Sequence, residues 1–259
     1  MAAVVAIGEG KGARRMPSGR RFLAVSALLF AAGAAVTILR GASMTALPLC
    51  GGMTVSMAWM RMPGETWLAA AASFLAMWLP MMVAMMLPSL APTLWRGGAA
   101  ADRPTALVGA GYFVVWTLLG VAVFPAGAAL AAAGMRWPAL ASAAPVAVAL
   151  TVLVGGALQL TAWKARHLAD CRSGHAVPAE AGAAWRHGLR LGARCVCSCA
   201  GLTAILLALG VMDLGAMAIV TTAITAERLA PEGWRVARAI GTVAVGVGLL
   251  LVARAAGLG

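Results

Sequence analysis

Apolar runs of roughly bilayer-crossing length recur along the chain at 22–39, 67–88, 105–130, 143–162, 195–212, 214–228 and 236–252, separated by short polar clusters. The fifth and sixth runs form one apolar stretch of 34 residues broken only at Gly210-Val-Met-Asp213. A single helix of that length is too long for a bilayer, and Asp213 is costly at mid-membrane depth, so this break reads as a tight hairpin turn. The pattern predicts an all-α, polytopic helical membrane protein of about seven transmembrane helices, or six if one run is re-entrant or interfacial.

Composition agrees: 62% of the 259 residues are hydrophobic and only 11% charged, more apolar sequence than a soluble core absorbs. The net charge of +12 would suggest nucleic acid in a soluble protein, but here the basic residues cluster between the apolar runs, where cytoplasmic loops need them. No nucleic-acid partner is implied; the lipid bilayer is. With a cytoplasmic N-terminus, 16 of the 20 basic residues fall inside, and only Arg40, Arg61, Arg136 and Arg254 fall outside. Seven spans then put the C-terminus outside. The first run follows basic residues as a signal peptide would, but its 18 residues favour an uncleaved anchor. Residues 1–21 are expected to be a basic, disordered cytoplasmic N-terminus and 22–253 a single helical transmembrane domain.

Two connections are longer than the rest. An outer loop, 40–66, carries Met44, Cys50, Met53, Met57, Met60 and Met62, and an inner loop, 163–194, carries Cys171 and all three histidines. Gly-x-Ser-x-Gly, His-Glu-x-x-His and phosphate-loop motifs are absent, and the eight carboxylates are scattered, so support for an enzyme is weak. Asp213 and Glu227 lie at span ends, where Glu227 and Arg228 read as an interfacial ion pair.

Sulfur chemistry stands out instead. Cys195, Cys197 and Cys199 fall within five residues at the start of the fifth span. On a helix, Cys195 and Cys199 share one face and Cys197 points nearly opposite, so the i, i+4 pair can chelate one soft ion. A cytoplasmic position keeps thiols reduced and makes a structural disulfide improbable, although cysteine is also an acceptable packing residue in apolar helices. His167 and Cys171 repeat the i, i+4 spacing and form a half-site suited to copper or zinc.

The second span adds five methionines in ten positions, Met77 to Met86, with Pro80 inside and Pro88 just beyond. Met77, Met81 and Met85 form a stripe, and Pro80 frees backbone carbonyl groups beside it. Such a stripe serves either as adaptable packing or as a set of soft ligands. In the inside-start topology the cysteines and the inner methionines share a leaflet, and a site of Cys195 and Cys199 with Met81 or Met85 would favour Cu(I). His167 and Cys171 would then receive or deliver the ion at the membrane surface.

The order of these residues resembles a bacterial membrane-protein family grouped as domain of unknown function 2182 and described as predicted metal-binding integral membrane proteins. The resemblance runs over about residues 53–250. Its marks are Met77-Trp78 through Leu87-Pro88, Gln159-Leu160-Thr161 with Lys164, Cys171-Arg172-Ser173, Cys195 through Cys199, Gly210 through Leu214, and Glu227-Arg228. Where the family reads Cys-Leu-Gly-Cys-Cys-Trp this chain has Cys195-Val-Cys197-Ser198-Cys199-Ala200, and His167 stands where a cysteine is expected. The resemblance implies metal binding in the bacterial inner membrane and no defined reaction.

Three function classes follow. The leading one is an inner-membrane protein that holds, hands over or transports a soft transition metal, Cu(I) favoured, with a metal-delivery protein or membrane complex as partner. The others are a transporter or channel subunit for another solute with incidental cysteines, and a cofactor-bearing redox subunit.

Overall fold

The structure is a computed structural model that describes residues 15–44, 59, 61, 64–98, 102–173, 176–211 and 213–256. Its helices are α1 (Arg15–Met44), α2 (Trp67–Arg96), α3 (Arg103–Arg136), α4 (Pro138–Ser142), α5 (Ala144–Gln159), α6 (Ala162–Arg172), α7 (Ala181–Leu209), α8 (Leu214–Leu229) and α9 (Gly233–Ala255). No strand occurs among the described residues. Cys50, Met53, Met57, Met60, Met62 and His175 lie outside them.

Five helices, α1, α2, α3, α7 and α9, are long and apolar enough to cross a membrane, and the pair α5–α6, bent by 65°, makes a sixth if it counts as one span. Length and composition thus support five or six of the six or seven crossings expected. The run at 214–228 forms the 16-residue α8, about 24 Å long at 1.5 Å per residue, short of a hydrocarbon core of about 30 Å. Its ends are nonetheless well defined. Gly210, at φ +132°, ends α7 in a conformation that a side chain resists, and the Asp213 carboxylate accepts a hydrogen bond of 2.8 Å from the Ala216 amide. The Gly210–Asp213 break is thus the turn that its residues predict.

The inner loop expected at 163–194 is mostly helical. Thr161 caps α6 by accepting from the Lys164 amide at 3.2 Å, and this extended residue is where the chain bends away from α5. At its other end, α7 starts 14 residues before Cys195 because Ala184, Gly188, Leu191 and Gly192 continue the buried face of the span while Arg186 and Arg190 stay exposed. A Cβ built on Gly111 of α3 would stand 2.7 Å from the Trp185 carbonyl oxygen of α7, so glycine allows these two helices to touch backbone to backbone.

The core includes Phe74, Trp78, Met81, Met82 and Met86 of α2, Trp116 of α3, Leu206 of α7 and Ile224 of α8. Pro80, Pro88 and Pro92 all lie inside α2, which remains one helix because its neighbours enclose it. Trp78 donates a hydrogen bond of 2.9 Å to the Trp116 carbonyl and so ties α2 to α3.

Candidate functional site

The i, i+4 spacing on α7 brings the Cys195 and Cys199 sulfurs to 3.9 Å, both fully buried. A third sulfur joins them. Met86 Sδ of α2 stands 3.9 Å from Cys195 Sγ. Met81 and Met85, the methionines expected to serve, are buried in the same helix, but the thioether set against Cys195 is that of Met86, on the face of α2 that also carries Ser89. The reason is angular: Met81 and Met86 differ by five positions, or about 140° around a helix of 3.6 residues per turn.

Polar groups surround the thiols. Tyr112, the chain's single tyrosine, donates a hydrogen bond of 2.8 Å from α3 to Cys195 Sγ. Ser198 Oγ lies 3.6 Å from Cys199 Sγ and 3.6 Å from Cys171 Sγ, so it stands between the α7 pair and the third buried thiol, on α6. Cys197 is half-buried and points away from the pair, as its two-residue offset requires. His167 makes its ring contact away from the thiols. Its ring packs edge-on against Trp163 with centroids 4.6 Å apart, and its buried Nδ1 has no hydrogen-bond partner.

Arg228 supplies the charge. Its side chain is 2% exposed; Nη1 donates to Ser89 Oγ at 3.3 Å, while Nη2 donates to Ser198 Oγ at 3.5 Å and approaches Cys199 Sγ at 4.0 Å. It does not pair with Glu227, against expectation, because successive residues of a helix point about 100° apart. Glu227 turns instead to Lys164, whose ammonium lies 2.6 Å from its carboxylate and also donates to the Ser198 carbonyl at 2.6 Å. Gln159 donates to the other carboxylate oxygen at 2.6 Å, and Arg172 donates to the Glu227 and Pro231 carbonyls, holding the end of α8 against α6. Lys164 and Glu227 balance each other, whereas no carboxylate among the described residues lies within salt-bridge distance of Arg228.

Among the described residues no three His, Cys, Asp or Glu side chains converge as metal ligands. What gathers instead is sulfur: Cys195 has a second thiol, Cys199, and a thioether, Met86, each 3.9 Å from its own sulfur. Sulfurs bound to one ion at about 2.3 Å in a plane stand about 4 Å apart, the spacing found here between Cys195 and each of Cys199 and Met86. Thiolate and thioether together select soft ions, Cu(I) above all. A cleft of about 200 Å³ lined by Thr93, Ser173, His187, Arg190, Leu191 and Arg194 opens at this end of the bundle, with Thr93 and Leu191 one turn from Ser89 and Cys195.

Residues 75–251, well over half of the chain, match the model of the PpoB2 family, described as copper chaperone. The chain belongs to that copper-chaperone family. The matched region contains Met86, Tyr112, Cys171, Cys195, Cys199 and Arg228, and it leaves α1 outside. Copper is thus the metal that the family's description names, where the sequence resemblance named metal binding alone. Neither the curated proteins nor the solved structures yield a match.

Sequence reasoning missed Tyr112, Ser89 and Met86 as members of the cluster. Only the rarity of a phenol in an apolar run signalled Tyr112; nothing in local spacing separated Met86 from its neighbours. Lys164 and Arg228 were visible as marks of the resemblance, but their burial was not.

Proposed function

We propose that this protein is a membrane-embedded copper chaperone that holds Cu(I) between Cys195, Cys199 and Met86 and passes it on through Cys171 toward His167. Met81 and Met85, buried in the same helix, pack the core around α2. The observation that carries the reading is a buried, carboxylate-free Arg228 beside two buried thiols and a thioether. A buried guanidinium calls for an anion, and two thiolates that bind a monovalent ion leave a single negative charge to meet it.

Handover by ligand exchange needs a next sulfur within reach of the first pair. Cys171 meets this need across Ser198, a small side chain that can turn aside. His167, one turn away on α6, then offers an imidazole toward the surface. The positive-inside bias puts this end of the bundle in the cytoplasm of a bacterial inner membrane, N-terminus inside, with α8 as a short further crossing. A cytoplasmic copper-delivery protein or a membrane complex is the partner class, and the basic cleft at Arg190 and Arg194 suits an anionic donor.

Elemental analysis of purified protein reconstituted with Cu(I) tests this. About one copper per chain is expected in the wild type and in Cys197→Ser, and little in Cys195→Ser/Cys199→Ser. Equal copper in the wild type and the double variant would overturn the site.

A further inference from the structure

The structure assigns to Arg228 a further role as the residue that makes this site choose monovalent over divalent soft metal ions. The inference rests on the Cu(I) reading above and adds what sets the selectivity.

Three structural features support this role. Arg228 is buried in the bundle, and its Nη2 lies 4.0 Å from Cys199 Sγ. The nearby ion pair, Lys164 with Glu227 at 2.6 Å, is already neutral and contributes no net charge. Met86 and Tyr112 bring a neutral thioether and a neutral phenol. The guanidinium is therefore the single unbalanced charge at the sulfurs among the described residues.

Loading breaks two S–H bonds, forms two metal–thiolate bonds with Met86 as a neutral third donor, and releases two protons to water; no electron moves. With a monovalent ion the sulfur cluster carries one negative charge, which Arg228 cancels. A divalent ion leaves the sulfur cluster neutral and Arg228 unpaired in the bundle interior. Charge left unbalanced at low dielectric is costly, and a cation about 4 Å from the sulfurs is close enough for this cost to govern the choice. Both soft and borderline ions accept thiolates, so ligand type alone discriminates less.

The test compares Ag(I), a redox-silent monovalent probe, with Cd(II) on full-length protein in detergent. Competition titrations followed by sulfur-to-metal absorption give affinities for the wild type, Arg228→Gln and Arg228→Lys, with unliganded melting temperature as the check on folding. Arg228→Gln should shift the Ag(I)-to-Cd(II) affinity ratio toward Cd(II) by about tenfold or more. Arg228→Lys, which keeps the charge, should hold the wild-type ratio. An unchanged ratio in a folded Arg228→Gln, or a shift of the same size in Arg228→Lys, would overturn the assignment while leaving the copper reading intact. Should Arg228→Gln not fold, Arg228→Met, which also removes the charge and keeps an unbranched side chain, takes its place with the same expected shift, and an unchanged ratio there overturns the assignment equally. A wild type that binds neither Cu(I) nor Ag(I) defeats the underlying reading instead.

Discussion

Tyr112 on α3 donates its hydroxyl to Cys195 on α7, at 2.8 Å, across a seam where glycine lets the two helices meet. A phenol donor stabilises sulfur in its anionic form, the form that binds metal. Removing only the hydroxyl in Tyr112→Phe keeps the ring packed. Copper affinity should fall roughly fivefold, about 1 kcal/mol, in a chelator competition, with little change in melting temperature. Unaltered affinity would mean that the bond serves packing alone.

The methionines can be separated in one series. Met86→Leu should weaken Cu(I) binding by about tenfold, or ~1.4 kcal/mol, while Met81→Leu and Met85→Leu, which conserve volume, should cost less than about 1.5 kcal/mol of stability and leave affinity near the wild type. If Met81 or Met85 gives the larger loss of affinity, the third sulfur has been assigned to the wrong residue.

The buried pair of Lys164 and Glu227 joins α6 and α8 beneath the thiols, both side chains at most 2% exposed. Breaking it from one side leaves a buried charge unpaired. Lys164→Met should cost about 3–5 kcal/mol, and so should Glu227→Gln less whatever its amide regains from Lys164. Lys164→Met/Glu227→Gln together should cost less than the sum of the two. Denaturant titration of all three variants measures the coupling, and strict additivity would rule out the pair as a unit.

Gly192 bears on the seam itself, where an added Cβ would stand 2.8 Å from the Tyr112 carbonyl oxygen and 3.0 Å from Val115 Cβ. Gly192→Ala must push α3 from α7, at a cost of about 1–3 kcal/mol. It should weaken copper binding as Tyr112→Phe does, with a lower melting temperature besides. Gly109→Ala, on the same α3 but with open space around it, is the control and should leave both readouts unharmed.

The cleft near the thiols offers a kinetic check. Arg190→Glu/Arg194→Glu should slow copper loading from an anionic thiol complex several-fold at low ionic strength, and the difference should shrink as salt is added. Affinity at equilibrium should stay unchanged.

Much of this molecule was legible from local pattern. Apolar run length announced a helical bundle, because a membrane leaves the backbone no other partner than itself. Gly210 and Asp213 announced the turn between α7 and α8, because a positive φ and a capping carboxylate are properties of single residues and their immediate neighbours. The i, i+4 spacing of Cys195 and Cys199 put their sulfurs together for the same reason. What crosses between helices had no such signature. Whether Met86 or Met81 meets Cys195 depends on how far α2 is rotated about its axis, and every side of α2 here is apolar enough to face inward. Tyr112 reaches Cys195 from 83 positions away, and Lys164 reaches Glu227 from 63. Arg228 and Glu227, neighbours in sequence, are drawn to different partners by the 100° step of the helix, and only the packing of α2, α6 and α7 around α8 leaves one charge neutralised and the other facing sulfur. The chain's order supplied the thiols; the packed bundle supplied the third sulfur and the unpaired cation beside them.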